Sequence, residues 1–254
     1  MAYRFETVGR NYADLASGSV LHSAPGHPAF PVRLASEMFL RGLAALGPHE
    51  PVTIWDPCCG SGYLSTVLAF LHRRKVSEVI ASDIDDGAVA LARRNLTLLT
   101  QAGLSAREAD LAELAARYGK SSHEEAAEAA DRLRRRLADD GGDVSSVAQV
   151  ADAFDPTQLG AVLDGRTPRI VITDVPYGEQ TEWHGTNAES GTAGMVRAVA
   201  SVLPADAVIV IAARGRRVPL GDDVRPIHKF KIGTRAVALL KAGQIEKSPV
   251  HRQL

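Results

Sequence analysis

Apolar positions along this chain follow two rhythms: short continuous runs, and longer stretches in which they recur every three or four residues. Val52 to Trp55 is a run of the first kind; it breaks at Asp56-Pro57, passes a turn containing Gly60 and Gly62, and gives way to Leu64, Val67, Leu68 and Leu71 at helical spacing. The pattern predicts a buried strand, a glycine turn and a helix. Glu78 to Asp85 predicts a second strand ending in acid. The helix after it has Ala88, Leu91, Ala92, Asn95, Leu96 and Leu99 on its inner side and Gly103 at its close. Ala106 to Asp110 reads as a short third strand, again with an acid at its C-terminal end. Arg169 to Gly178 is a fourth strand and its turn, Glu179 to Gly194 is polar and glycine-rich, and a helix from about Gly194 to Leu203 leads to a fifth strand, Ala207 to Ala212. Lys229 to Ile232 and Arg235 to Lys241, either side of Gly233-Thr234, close as a hairpin.

Two stretches fall outside this alternation of strand and helix. Residues 1 to about 50 form an N-terminal helical appendage: a loop from Leu21 to Pro31, then a helix started by Pro31, striped by Leu34, Met38, Leu40 and Leu43 and stopped by Gly47-Pro48. From about 111 to 168 the pattern is helical and highly charged, which is long for one crossover and reads as an insertion. Within it Glu124, Glu125 and Glu128 precede Arg132, Arg134, Arg135 and Arg136, an order that suits a helix dipole. Those arginines form a solvated helix face or, alternatively, meet RNA phosphate. Val144 to Phe154 reads as a further short helix.

Composition narrows the class. At 254 residues, 45% apolar and 23% charged, the chain is an ordinary soluble α/β domain with one large core. No apolar run approaches the ~18 residues of a membrane helix, and the early Arg4, Glu6 and Arg10 do not make a signal peptide. The only cysteines, Cys58 and Cys59, are neighbours, so neither a disulfide framework nor a zinc site is expected, and a reducing cytoplasm fits. His22, His27 and His184 lack metal-ligand spacing, and no metal is expected. With a net charge of −1, an RNA partner would have to meet a local basic patch, for which Arg214, Arg216, Arg217, Lys229 and Lys231 are the candidates.

The Gly60-Ser61-Gly62 turn alone fits NAD, a nucleotide, S-adenosylmethionine or a plain tight turn; a third glycine is missing, with Ser65 three residues after Gly62. Asp56, Asp83 and Asp110 sharpen it. One acid at a strand end is ordinarily a helix cap, but three at matching junctions mark a ligand at one sheet edge. The distance from Gly62 to Asp83 is near the ~20 residues that separate a glycine turn from a ribose-binding carboxylate. Asp174-Val175-Pro176-Tyr177 adds an acid, a proline-stiffened turn and an aromatic at the tip of the fourth strand. An amino group on a planar base is a poor nucleophile. Asp174 and a turn carbonyl can hold its hydrogens and aim its lone pair while Tyr177 stacks on the ring. Trp183 and His184 follow, as a substrate lid or as local packing.

Asp56-Pro-Cys-Cys-Gly-Ser-Gly62, Ser82-Asp-Ile-Asp85 and Asp174-Val-Pro-Tyr-Gly178 together resemble the class I S-adenosylmethionine-dependent methyltransferases, and within them the enzymes whose fourth motif reads Asn/Asp-Pro-Pro-Tyr. The chain over nearly its full length, including Leu21 to Met38 and the helical insertion, resembles the avilamycin-resistance methyltransferases that act on 23S ribosomal RNA. This chain departs from the motif with Asp174 in place of the commoner Asn and Val175 in place of the first proline. The resemblance implies a single Rossmann-like domain over 1–254, with a mostly parallel seven-stranded sheet whose last strand is antiparallel. It implies S-adenosylmethionine as cofactor, with Asp56, Gly60 and Gly62 at its methionine end, Asp83 at its ribose hydroxyls and Asp110 near its adenine, and with Cys58 and Ile84 also among the cofactor-binding residues. Phe30 to Met38 covers the methionine moiety, while Asp174, Pro176 and Tyr177 are catalytic. Arg214, Arg216, Arg217, Lys229, Lys231 and Trp183 contact RNA. The implied activity is methylation of a guanine in 23S ribosomal RNA, on free RNA or on the large ribosomal subunit, by a monomer, giving resistance to a ribosome-targeting antibiotic. An NAD-dependent oxidoreductase, a non-catalytic RNA-binding module and a methyltransferase acting on a protein amino group stay open.

Overall fold

The structure, a computed structural model, describes residues 3–15, 18–48, 50–175, 184–185 and 188–245. Its frame is a seven-stranded sheet built from β1 (Val52–Asp56), β2 (Val76–Asp83), β3 (Ser145–Val150), β4 (Ile170–Asp174), β5 (Val208–Arg214), β6 (His228–Ile232) and β7 (Arg235–Lys241), in the order β3-β2-β1-β4-β5-β7-β6. The first five strands run parallel and β7 lies antiparallel between β5 and β6. The closing hairpin, the antiparallel last strand and the fourth and fifth strands are where the apolar runs put them.

Continuous apolar runs are what a parallel sheet covered on both faces demands. Ile54, Val79, Ile172 and Val210 face one core, with α1 (Val32–Leu46), α2 (Tyr63–Leu71) and α3 (Asp86–Thr97) over them. Their neighbours Trp55, Ile80, Val171 and Ile209 face the other, under α6 (Pro156–Leu163) and α7 (Gly191–Ser201). The strand order reverses between β1 and β4, and ligands of open α/β sheets bind outside the C-terminal ends of the strands at that point.

The third strand is a correction. Ala106 to Asp110 lies inside a long helix, α4 (Gln101–Tyr118), and the strand paired with β2 is Ser145–Val150. Buried Leu104, Leu111 and Ala115 recur at helical intervals, and the Thr100 hydroxyl caps the helix by accepting from the Gly103 amide at 3.0 Å. Gly103 therefore opens α4 instead of closing α3. A Cβ there would stand 2.0 Å from the Thr97 carbonyl oxygen, so only glycine lets the two helices meet so tightly. Val144 to Phe154, expected as a helix, instead supplies β3 and the turn after it. The stretch from 111 to 168 thus holds the end of α4, then α5 (Ser121–Asp139), β3 and α6.

α4 and α5 pack as an antiparallel pair through Leu104, Leu111, Ala126, Ala130, Leu133 and Leu137. The arginine run on α5 is engaged within the protein: Arg132 with Asp14 at 2.8 Å, Arg134 and Arg135 both with Asp131, and Arg136 with Asp140 at 3.6 Å. A solvated, self-paired face is what these contacts describe, and phosphate binding there loses its motive.

The N-terminal appendage is sewn to the sheet by buried polar groups. Glu37 on α1 is fully buried and accepts from the Arg4, Phe5 and Glu6 amides at 2.7–2.9 Å and from Arg41 Nε at 2.7 Å. Tyr63 donates its hydroxyl to the Leu15 carbonyl at 2.7 Å, and Arg107 donates to the carbonyls of Ser19 and Val20. Residues 4–6 are therefore held on α1, Leu15 at the start of α2, and Ser19 and Val20 on α4.

Candidate active site

β1 delivers Asp56 to the sheet edge and the chain turns at once. The Cys59 amide donates to the Ser82 carbonyl at 2.9 Å, tying the turn to the tip of β2, and the Gly62 amide donates to the Cys59 carbonyl at 2.8 Å. Gly60 and Gly62 have φ of +51° and +69°, a left-handed region that side chains with a Cβ resist. A Cβ on Gly62 would also press on Ala92 of α3 at 3.0 Å, while one on Gly60 would face His27 Nδ1 at 3.4 Å across an open cleft. His27 thus places the N-terminal loop above the turn. A single buried amide fixes this arrangement: Asn95 of α3 donates to the Ser61 and His22 carbonyls at 2.8 and 3.1 Å and accepts from the His22 amide at 2.8 Å.

Asp83 ends β2 beside that turn. Its Oδ2 accepts from the Gly60 amide at 2.8 Å and its Oδ1 from the Asp85 amide at 3.1 Å. A carboxylate offers about four lone-pair sites, so two remain for hydroxyl groups arriving from solvent. Ile84 follows directly and stays exposed, an apolar surface open beside the acid.

Asp56 is buried, and burial pushes its carboxyl up to about 7, against the opposing pull of the Thr173 hydroxyl and the Cys58 amide. The negative charges of Asp83 and Asp174 add to the upward push, which places all three acids around one volume. Cys58 and Cys59 sit in this same acidic, desolvated surrounding, which holds both thiols well above their ordinary range; they are packing residues, not nucleophiles.

Asp174 ends β4. Desolvation raises its carboxyl to about 6, with Arg235 and Arg214 pulling the other way. Its Oδ2 is 3.4 Å from Arg235 Nη2, and its buried Oδ1 has no hydrogen-bond partner among the described residues. The Arg235 guanidinium rests 4.8 Å from the ring centroid of Phe30, so the N-terminal segment, β7 and β4 converge on this carboxylate. Pro176, Tyr177 and Trp183 lie outside the described residues.

Asp110 does not end a strand. It sits exposed on α4, with Arg107 and His22 as its electrostatic neighbours. The acid that follows the true third strand is Asp152, which is buried and was not singled out from the sequence. Its Oδ1 accepts from the Phe154 amide at 2.9 Å, and its own amide donates to Gln158 Oε1 at 3.0 Å. A Cβ on Gly185 would lie 2.5 Å from Asp152 Oδ2, so the chain beyond β4 returns close against this acid. A short run rich in β-branched residues, Val144, Val147 and Val150 around Ala148, was the signal that a strand led to it.

Arg216, Arg217, Lys229 and Lys231 are exposed and line a cavity of about 710 Å³ beside β6 and β7, whereas Arg214 ends β5 nearer Asp174. Among the described residues no group of three or more His, Cys, Asp or Glu side chains is placed to hold a metal ion, and no helix is long and apolar enough to cross a membrane.

Comparison with known proteins agrees with this geometry. The family described as rRNA methyltransferase AviRa matches residues 1–235. A curated 23S rRNA (guanine(2535)-N(1))-methyltransferase of Streptomyces viridochromogenes is 52% identical over 244 residues, covering 96% of this chain and 97% of the relative. Two crystal structures of the rRNA methyltransferase AviRa from the same organism, at 2.4 and 1.5 Å, superpose with TM-scores of 0.91 and 0.92 at 51% identity, over 98% of this chain and all of theirs.

Proposed function

The chain belongs to the AviRa family of ribosomal RNA methyltransferases, and from that premise we propose that it methylates a guanine of 23S ribosomal RNA at ring nitrogen N1, with S-adenosylmethionine as methyl donor. The observation that carries the reading is the divided carboxylate of Asp174: one oxygen held by Arg235, the other buried and unpartnered, at the edge that Asp56 and Asp83 share.

The residues at that edge fit the donor. Gly60 and Gly62 let the backbone come close to a ligand, Asp83 keeps acceptor sites for two ribose hydroxyls, and exposed Ile84 offers an apolar face to adenine. Asp56, raised to about 7, gains ionised character beside a positive charge. When bound, S-adenosylmethionine supplies an electrophilic methyl on a positively charged sulfur that leaves without help from an acid.

The protein's part is alignment and proton management. Guanine N1 carries a hydrogen and shares its lone pair with the neighbouring carbonyl, so attack requires that hydrogen to leave. Asp174 Oδ1 accepts it. A carboxyl raised to about 6 is a stronger base than an ordinary aspartate yet stays mostly ionised at neutral pH. An Asn at this position could orient an exocyclic amine but could not take a proton, which gives the Asp174 departure from the motif a chemical reason. Arg235 fixes the carboxylate's direction through Oδ2, and Phe30 fixes Arg235. The target base must leave its stack to reach a carboxylate this deep.

The RNA is met on the large ribosomal subunit or before its assembly, in the cytoplasm, and the added methyl denies an avilamycin-like antibiotic its contact. The test is transfer of tritiated methyl to 23S ribosomal RNA, followed by mass spectrometry of nuclease fragments. One methyl on guanine N1 is the expected product; a methyl on an exocyclic amine, or on protein alone, would refute the proton-acceptor role of Asp174.

A further inference from the structure

The cavity of about 710 Å³ lies between the loop of residues 215–226, the N-terminus of α7 and the face of β6 and β7 that α7 covers. Lys229 and Lys231 stand two residues apart and so share that face, opposite Ala238 and Ala236 of β7, whose small side chains leave the volume open. Arg216 and Arg217 close it from the loop, and Val218 and Leu220 give it an apolar wall. Among the described residues none of these four cations has a hydrogen-bonding or ion-pair partner. Arg197 on α7, by contrast, pairs with Asp223.

A second observation points to the same place. Thr192, in the first turn of α7, lines the cavity, is 2% exposed, and has a hydroxyl without a hydrogen-bond partner among the described residues. α7 continues from a 3-10 turn, Ala188–Ser190, and has no side-chain cap on its first amides. A buried orphan hydroxyl in the first turn of α7, in a cavity lined, among the described residues, by four unpaired cations against one carboxylate, Asp222, is a site for an anion such as phosphate. The volume is larger than a bare phosphate needs and falls in the ~300–1,000 Å³ range of small-molecule sites. The apolar wall suits a planar base.

We propose that this cavity holds a nucleotide of the substrate RNA flanking the methylated guanine, with its phosphate at Thr192 and the N-terminus of α7 and its base against Val218 and Leu220. The inference rests on the RNA-methylation reading above. β7 is two strands from β4, so the cavity and Asp174 are separated by ~10 Å across the sheet, a gap bridged by a few nucleotides of unstacked chain. The pocket grips the strand next to the target and holds the extruded guanine in register with Asp174.

Thr192→Val and the Lys229→Gln/Lys231→Gln pair test it. Each is compared with wild type in steady-state methylation of a 23S ribosomal RNA fragment, in S-adenosylhomocysteine calorimetry and in thermal melting. Thr192→Val removes the hydroxyl without changing shape, and should raise KM for RNA about tenfold with little change in kcat or cofactor affinity. The lysine pair should raise KM further and reduce the slope of log affinity against log salt by about 1. Unchanged KM and slope in both variants, with wild-type transfer intact, would overturn the pocket and leave the functional reading standing. Absence of wild-type transfer would overturn both. Inorganic phosphate and cytidine monophosphate, whose base is not the target of methylation, as competitors separate the sources of recognition. Competition by the mononucleotide alone supports a whole-nucleotide site. Equal competition by phosphate would overturn the base-holding part.

Discussion

The two halves of the sheet edge treat their polar groups in opposite ways. On the β1–β2 side most polar groups at the sheet edge are tied down within the protein, the buried Ser65 hydroxyl excepted. Asp83 spends an oxygen on each of two backbone amides, and Asn95 makes three hydrogen bonds. On the β4–β7 side groups are left over: one oxygen of Asp174, the Arg235 Nε, the Thr192 hydroxyl and the four cations of the cavity. Leaving buried polar groups unmatched costs stability, so their clustering on one side marks where a charged ligand completes the structure. The first half is preformed for a small cofactor. On the reading proposed above, the second is completed by RNA.

The largest expected effect breaks the second half alone. Asp174→Asn keeps the shape and one acceptor but cannot take a proton. The turnover number should fall by about 10³-fold, within the 10²–10⁴ range of general-base losses. S-Adenosylhomocysteine affinity should stay within about twofold, because the cofactor side does not depend on that proton. Rates from single-turnover methylation with calorimetry on the same sample give both numbers. Loss of cofactor binding together with rate would mean the two halves are not separable.

The same division explains what the sequence made legible. β1, β2, β4 and β5 are apolar runs ending in Asp56, Asp83, Asp174 and Arg214, and a run buried on both faces announces itself without reference to neighbours. β3 is an edge strand with exposed Ser145 and Val150, so half of its signal is polar, and its β-branched run was outweighed by the charged helices around it. Asp110 was mistaken for its terminal acid because strand length and position matched the expected spacing. What overrules that reading is tertiary: Leu104 and Leu111 need α5 opposite them before the period of α4 becomes visible. The orphan hydroxyl of Thr192 has no sequence signature at all, since only packing removes a threonine from water.

Breaking the clamp that holds the N-terminal segment to α1 should cost stability more than chemistry. Glu37→Ala leaves Arg41 buried without its partner and frees three backbone amides of the N-terminal segment. Removal of one member of a buried pair destabilises by about 3–5 kcal/mol, so a melting temperature lower by about 10 °C is expected. RNA affinity of the folded fraction should change little. A stable Glu37→Ala protein with weak RNA binding would invert the assignment of roles.

A finer comparison sets Asp152 against Asp110. Asp152 closes the third strand at the cofactor edge, whereas Asp110 faces solvent on α4. Asp152→Asn should weaken S-adenosylhomocysteine binding by about tenfold, the size of one charge-assisted hydrogen bond. Asp110→Asn should stay within about twofold. Matching losses in isothermal titration would return the adenine contact to α4.

The smallest effect is a titration. Asp56 is protonated in the folded protein up to about pH 7 but would be ionised in the unfolded chain above its ordinary range. The folded state therefore binds the extra proton. The stability tied to this group is present at low pH and is lost as pH rises through about 7. His22 and His72, both lowered to about 4 by burial, act in the opposite sense between about 4 and 6.5, so the raw curve mixes the contributions. The difference between wild type and Asp56→Asn isolates the carboxyl. Relative to the variant, wild type should lose about 1 kcal/mol between pH 6 and 8. S-Adenosylmethionine, which brings positive charge to the ionised acid, should bind wild type more tightly over the same interval and the variant equally at both ends. Calorimetry at pH 6 and pH 8 decides it: a pH dependence that survives in Asp56→Asn would move the charge that senses the cofactor to another residue, with Asp83 next in line.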